Sequence, residues 1–485
     1  MHICFLGHQS WLIQGRVARV LVDPLLLDSF GATDQFGLQV YPPRNVDVSA
    51  LQQVDAVIFS HEHSDHFHLP SVASLPRTAV VYLGALVVEP IAAALRTMGF
   101  EVRRVCGPET IEVDDLIIRL YLAHPDTALW ESRVHQLYVE QVGCDRRLFI
   151  AVDALLSDQF AHDVAVGRVA EPAIVAVSNN SQITPPGVVG ALQNLAADPW
   201  TDKTKQGLLG LQVLQSLVAS VEMLPPAECL VICGGGFMKN YDNFGPFPFS
   251  EQDALGRLAT ELSDDQQIVG LLPGQVLVTD EPKLRVTEVD WINLDTERHA
   301  RLEAQRERFL AEGRCVPKRA LTGAFADVAT YGAVRAAVEA ELARLAPHLM
   351  LSPLGQHALT AASVSESPAG DATFAMVLND CMGSEPLVYG LNLSSGTFEL
   401  DPNGADGVIS RYPYGLQISL RDYYAVIIGE IQVWDLAGIA MHGWHQCPMF
   451  EGPVAFMYSF YGENISPDLL QGVLDAQLTT LHLRP

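Results

Sequence analysis

Six consecutive residues concentrate the chemistry of this chain: His61, Glu62, His63, Ser64, Asp65 and His66. They follow the apolar run Asp55–Ser60 (DAVIFS), which reads as a buried strand. His61 and His63 stand two apart, so an extended backbone directs both imidazoles the same way. Asp65 and His66 fall where a helix can begin, and their side chains can turn back toward the same point. Neutral imidazoles and carboxylates are the donors that borderline and hard divalent cations take. Four such groups gathered at one spot are costly to bury without a cation. The alternative is a solvated histidine-rich loop, and the position directly after a buried strand weighs against it.

The HxHxDH spacing of these residues resembles the signature of the metallo-β-lactamase superfamily, and the resemblance covers roughly residues 1–290. It implies an αββα sandwich with one or two divalent ions per chain, zinc or iron, with manganese also compatible. His61 and His63 would bind one ion, Asp65 and His66 the other. Asp65 would also orient a water or act as its base. The superfamily adds a later histidine to the first ion. His124, in Ala123-His124-Pro125-Asp126 just past the apolar run Leu116–Leu122, matches it best; His135, which otherwise opens the next strand, is its rival. A bridging aspartate is matched by Asp153, at the end of LFIAVD. The histidine normally added to the second ion has no match, because Val177–Pro185 contains none. That departure leaves the second position weaker, absent, or filled by His8 or Asn180.

His8 follows the first strand in a Gly-His-x-Ser-x-Leu-Ile opening, with Val22-Asp23-Pro24 further on. This pattern is similar to the lactonase branch of the superfamily, which includes L-ascorbate-6-phosphate lactonase, where the residue after this turn faces the metal cleft. Asp23 is expected to fix a turn beneath the metals. Ile58–Leu69, His124-Pro125, Ala151-Val152-Asp153, Cys233–Phe237 and Leu272-Pro273-Gly274 resemble the metallo-β-lactamase-like part of CMP-N-acetylneuraminate hydroxylase. That family also carries a Rieske cluster, whose paired Cys/His ligand motifs are not present here. The glycine-rich, aromatic stretch Gly234–Phe249 supplies Lys239 and Tyr241 as candidate substrate-binding residues, beside His8 and Asn180. Its glycines permit close backbone approach to a ligand, and a compact surface loop is the equal alternative.

The elements that must carry these groups read as an α/β arrangement. Short strands recur through the first half, with helical stretches at Leu86–Met98 and Lys203–Met223. A charge-dense helical stretch, Leu294–Glu312, suggests a connector at 291–320 between the metal-binding domain 1–290 and an α+β domain at 321–485. In the second domain Phe325–Leu345 reads as helix. Strands follow, then a helix at Arg421–Ile428 and a strand at Ala437–Met441. The pattern from Gly415 to Gly438 resembles sterol-carrier-protein-2-like domains, which implies a substrate-binding cavity or an oligomer surface. His442 and His445 are read as structural.

The 485 residues include 30 Lys+Arg against 57 Asp+Glu, a formal net charge of −27, which disfavours nucleic acid and anionic membrane partners. With 49% hydrophobic residues the chain can build a core, yet it has no apolar run long enough for a membrane span. The eight cysteines form no CxxC pair, which fits buried thiols and a cytoplasmic location. The expected function is metal-dependent hydrolysis of a small-molecule ester, lactone, amide or phosphoester. The alternative is a mono- or di-iron oxygenase served by an electron-donor protein, and the third reading is a non-catalytic scaffold. A homo-oligomer is compatible with each.

Overall fold

The computed structural model describes residues 1–31, 38–107, 109–127, 133–178, 221, 223–233, 237–239, 267–302, 304, 320, 322–352, 354–356, 372–379, 381–382, 385–436, 440–445 and 453–483. Among them, two large mixed sheets dominate the first half. The first runs in the order Arg285–Glu288, Gln275–Val278, His2–Gly7, Ser10–Gln14, Arg19–Val22, Ala56–Phe59, Val80–Gly84, Glu101–Val105. The second runs Thr110–Val113, Leu116–Leu122, His135–Gln141, Leu148–Ile150, Ile174–Ser178, Cys229–Cys233, Gln267–Val269. In both, an antiparallel meander gives way to parallel strands. The change falls between Arg19–Val22 and Ala56–Phe59 in one sheet, and between Leu148–Ile150 and Ile174–Ser178 in the other.

Side-chain alternation decides how the layers stack. In the first sheet Ile3, Phe5, Trp11, Ile13, Val20, Val22, Ala56 and Ile58 face a core shared with Leu116, Ile118, Leu137, Val139, Leu148 and Ile150 of the second. The residues between them, Cys4, Leu6, Leu12, Leu21, Val57 and Phe59, face the helix Glu89–Thr97 instead. On the second sheet Tyr138, Phe149, Val175 and Leu230 face the helix Asp158–Ala165 through Phe160 and Val164. The period of two puts alternate residues on opposite faces. Strands covered on both faces become continuous apolar runs such as AVIF, LFI and CLVIC. The result is a mixed α/β fold, a sandwich of two sheets between helices.

The second half forms a five-stranded sheet in the order Thr397–Leu400, Leu387–Asn392, Ala372–Asn379, Tyr414–Ser419, His442–His445. The helix Val328–Leu351 buries Val338, Leu342 and Leu345 against Phe374, Met376 and Leu378. Leu25, Phe30 and Val40 from the first half belong to this same core. A second seam is the helix Pro467–Thr480, whose Leu470, Leu474 and Leu478 form an i, i+4, i+8 stripe packed with Ile91 and Leu95.

Several elements differ from the sequence expectation. Leu294 ends a strand, Ile292–Leu294, paired with Arg44–Val46, and helix begins only at residue 296. Residues 305–319 of the expected connector lie outside the described residues, as does nearly all of Lys203–Met223. The last strand of the five-stranded sheet is His442–His445, and residues 437–439 of the expected strand Ala437–Met441 lie outside the described residues. Trp444 explains the shift. Its indole N–H donates to the Tyr412 carbonyl at 2.9 Å, and its ring occupies the space that a side chain at Gly415 would need. Beyond it the helices Pro453–Tyr461 and Pro467–Thr480, both opened by a proline suited to a first helical turn, were not anticipated.

Candidate metal centre

The parallel strands Arg19–Val22 and Ala56–Phe59 end side by side, so the residues just past them meet at one edge of the sheet. Asp23 takes a left-handed turn there, with φ 43°, and its N–H donates to the Ile58 carbonyl at 3.0 Å. Its buried carboxylate accepts from the Ser60 N–H at 2.7 Å, the Ser60 hydroxyl at 2.5 Å and His66 Nδ1 at 2.9 Å. Because the Ser60 hydroxyl donates to Asp23, it accepts from His61 Nδ1, 2.9 Å away. A single carboxylate thus fixes the tautomers of two histidines and directs the Nε2 side of each away from it. Orientation of this kind, by hydrogen bonds to the far ring nitrogen, is how metal-binding histidines are ordinarily held. Asp23 is thus bonded to Ser60 and to His66 Nδ1, on the side of that ring away from its Nε2 atom.

The opposite sheet contributes Asp153, three residues beyond Leu148–Ile150. Val152, immediately before it, has φ 53°, a strained backbone for a β-branched residue. Asp153 Oδ2 accepts from His66 Nε2 at 2.7 Å. The strand His2–Gly7 ends at Gly7, with φ 107°, where a Cβ would come within 2.6 Å of Arg44 Nε. Arg44 is itself buried and donates to the carbonyls of Leu6, Leu25 and Leu27, locking the first turn against the segment that follows Asp23. His8 follows at φ 53° and donates from Nε2 to Asp65 Oδ2 at 2.8 Å.

Two groups of mutually close donor atoms result: His8, Asp65 and His66, and His61, His66 and Asp153, each within 4.8 Å of one another. All five residues are fully buried, at 0% exposure. His63 lies beside them, its ring 4.5 Å from that of His61. Burial, with His66, His63 and Arg133 nearby, holds His61 well below the usual histidine range, so it is neutral and able to act as a ligand. Burial alone would also lower His66, but Asp65 and Asp153 outweigh it and raise that histidine well above its ordinary value. Burial alone would raise Asp65, but His66 and His8 outweigh it and hold the carboxyl below its usual range. Nitrogen and carboxylate oxygen, buried and converging, are the donor set that zinc or iron fits.

Other expected residues fall elsewhere. His124 is in neither group: its Nε2 lies 3.3 Å from Asp158 Oδ1 and its Nδ1 accepts from the Asp126 N–H at 3.0 Å. Asp158 opens the helix Asp158–Ala165, an element the sequence reading did not anticipate, and it engages the ring. His135 is also outside both groups. Its Nδ1 and backbone N–H both donate to the Ser60 carbonyl, at 3.2 and 3.1 Å, while its ring fills the space beside Gly84. Lys239 ends the strand Phe237–Lys239. Asn180 and Tyr241 lie outside the described residues, as does the side chain of Lys239.

Residues that the sequence did not single out complete the surroundings. Tyr458, in the helix Pro453–Tyr461, places its hydroxyl 3.1 Å from His63 Nε2. Arg133 ion-pairs with Glu62, inside the motif, and with Glu463 at 3.4 Å. Burial alone would lower Arg133, but Glu62 and Glu463 outweigh it and raise it. No spacing signal marks these residues, since each is a lone polar group in an otherwise ordinary segment.

Comparisons with known proteins concern mainly the first part of the chain. Residues 2–138 match the family described as a beta-lactamase superfamily domain. A 163-residue stretch is 28% identical to an uncharacterized protein of Mycobacterium tuberculosis, covering 33% of this chain and 43% of that protein. The chain thus spans less than half the length of that relative. The isothiocyanate hydrolase from Delia radicum gut bacteria is 18% identical, with a TM-score of 0.39, over 57% of this chain and 99% of that one. CmlA, a diiron β-hydroxylase from Streptomyces venezuelae, is 14% identical, with a TM-score of 0.34, over 59% of this chain and 54% of that one. The first 138 residues, which hold the His61–His66 motif, are thus where a beta-lactamase superfamily domain is recognised.

Proposed function

We propose that the chain is a metal-dependent hydrolase in which His8, His61, His63, Asp65, His66 and Asp153 hold one or two divalent ions. Its substrate is a small-molecule ester, lactone, amide or phosphoester. The observation that carries the reading is the pair of fully buried donor groups sharing His66. When bound there, a divalent cation supplies Lewis acidity and lowers the pKa of water toward neutrality. The chain's own residues do the rest. Asp65, kept ionised by His66 and positioned by His8, orients the attacking water by accepting its hydrogen bond. Asp23 and Ser60 keep the ring nitrogens in register, and the surrounding burial excludes bulk solvent. We read the C-terminal part as cover for this site in preference to a sterol-carrier-type cavity.

Metal analysis of protein purified without added metal, together with assays of a panel of such substrates, tests the reading. The expected result is at least one ion per chain, with His61→Ala losing both ion and turnover. Turnover that survives in His61→Ala would refute it. An oxidative reading is favoured by one observation: the two groups hold two carboxylates and no thiolate, a set that suits iron as well as zinc. It predicts iron as the dominant metal, with absorption that responds to reductant and O₂. Zinc alone would exclude it.

A further inference from the structure

We propose that Tyr458 is a positioning residue for His63, so that a helix from the far end of the chain sets how tightly the centre holds its cation. The inference rests on the metal reading above. Two groups approach the same ring nitrogen, His63 Nε2: the Tyr458 hydroxyl at 3.1 Å and Arg133 Nη2 at 3.4 Å. They differ in what they can do. A guanidinium only donates, whereas a phenol hydroxyl donates or accepts. A histidine that gives one nitrogen to a metal is neutral and carries its proton on the other. A proton on Nε2 requires an acceptor, and of these two groups only Tyr458 is one.

The neighbouring contacts support that division. Arg133 is engaged by Glu62 on one side and Glu463 on the other, which directs its charge to carboxylates. Glu463 lies five residues after Tyr458, so one short C-terminal segment both accepts from His63 and helps hold the competing cation. The Tyr458 ring is buried, at 3% exposure, and crosses the His63 ring edge to face at 75° with centroids 6.0 Å apart. Its orientation is therefore fixed by packing and does not depend on the hydroxyl. The hydroxyl selects the Nε2–H tautomer of His63 and leaves Nδ1 as the nitrogen for the cation.

The experiment is a zinc titration of the metal-free full-length chain against a competing chelator, with four proteins compared. Tyr458→Phe keeps the ring and removes one oxygen, and it is expected to weaken zinc binding roughly 10–100-fold while thermal unfolding of the metal-free form stays close to wild type. Ser459→Ala, which removes a hydroxyl that donates to the Phe456 carbonyl of its own helix, is expected to bind as wild type does. His61→Ala is expected to lose binding. If His61→Ala binds zinc normally, the metal reading itself fails. If His61→Ala loses zinc and Tyr458→Phe does not, the positioning role alone is overturned, as it is if Ser459→Ala weakens binding equally. Should Tyr458→Phe not fold, nitrogen-15 NMR of the zinc-loaded wild type decides: a proton on His63 Nε2 supports the proposal, and a proton on Nδ1 overturns it.

Discussion

Replacing Asp23 by asparagine probes the site at one atom. Asp23 Oδ1 accepts from the Ser60 N–H, and Oδ2 from both the Ser60 hydroxyl and His66 Nδ1. Asparagine keeps the first acceptor and puts an N–H₂ group where the second stood. The Ser60 hydroxyl can turn and accept, but His66 Nδ1 then faces a donor and must give up its proton. The proton left on the ring is then the one on Nε2, which donates to Asp153 and is the nitrogen a cation needs. Hydrogen bonds to a charged group contribute about 1.5–3 kcal/mol each, so losing one to two of them costs about 1.5–6 kcal/mol of stability. Losing an orienting partner of a metal-binding histidine weakens metal affinity by about 10–100-fold. Urea unfolding of the metal-free form reads the first quantity and zinc titration reads the second. A variant with wild-type zinc affinity would show that Asp23 does not set the ligand tautomers, and the reasoning would fail.

Other expectations follow from neighbouring contacts. Arg133→Met leaves Glu62 and Glu463 buried without their cation and is expected to cost about 3–5 kcal/mol in urea unfolding; a loss below 1 kcal/mol would contradict the ion-pair assignment. Leu345→Ala opens a cavity in the core shared by the two halves and is expected to cost about 2–5 kcal/mol. Burial alone would raise Asp115, but Gln141 and the N–H groups of Ala18, Arg16 and Val17 outweigh it and keep its carboxyl below the usual range. A folded pKa below the unfolded value of about 3.9 contributes stability above that pH and loses it as pH falls further. Asp115→Asn is thus expected to flatten the acid limb of urea midpoint against pH below about 4, and parallel limbs would disprove the assignment. A fragment of residues 1–290 exposes Leu25, Phe30, Val40, Ile91 and Leu95, and is expected to bind a hydrophobic dye or aggregate; a monomeric fragment with native-like amide protection would refute the shared core.

What the sequence revealed of the site depended on distance along the chain. His61, His63, Asp65 and His66 lie within six residues, so local backbone geometry brings them together and the spacing alone is readable. Asp153 was readable because a carboxylate ending an apolar strand demands a partner, and in the structure that partner is His66. His124 satisfied the same kind of pattern, yet Asp158, on a helix whose start left little trace in the sequence, holds its ring. Tyr458 left no trace at all. Its segment, VAFMYSFY, is apolar on every side, and only tertiary packing shows which residue meets His63. The strands were legible because both faces are buried and apolar runs persist. His442–His445 was missed as a strand because Trp444 and two histidines hide its register behind polar residues.

The core that unites Leu25, Phe30 and Val40 with Val334, Val338 and Leu342 has a consequence for biosynthesis. At roughly 5–20 residues per second, the ribosome delivers Val334 about 15–60 s after Val40. Throughout that interval the nascent first half presents an oily patch with nothing to cover it. Such a chain calls for a holding chaperone during translation, and slow codons between the halves would lengthen its exposure.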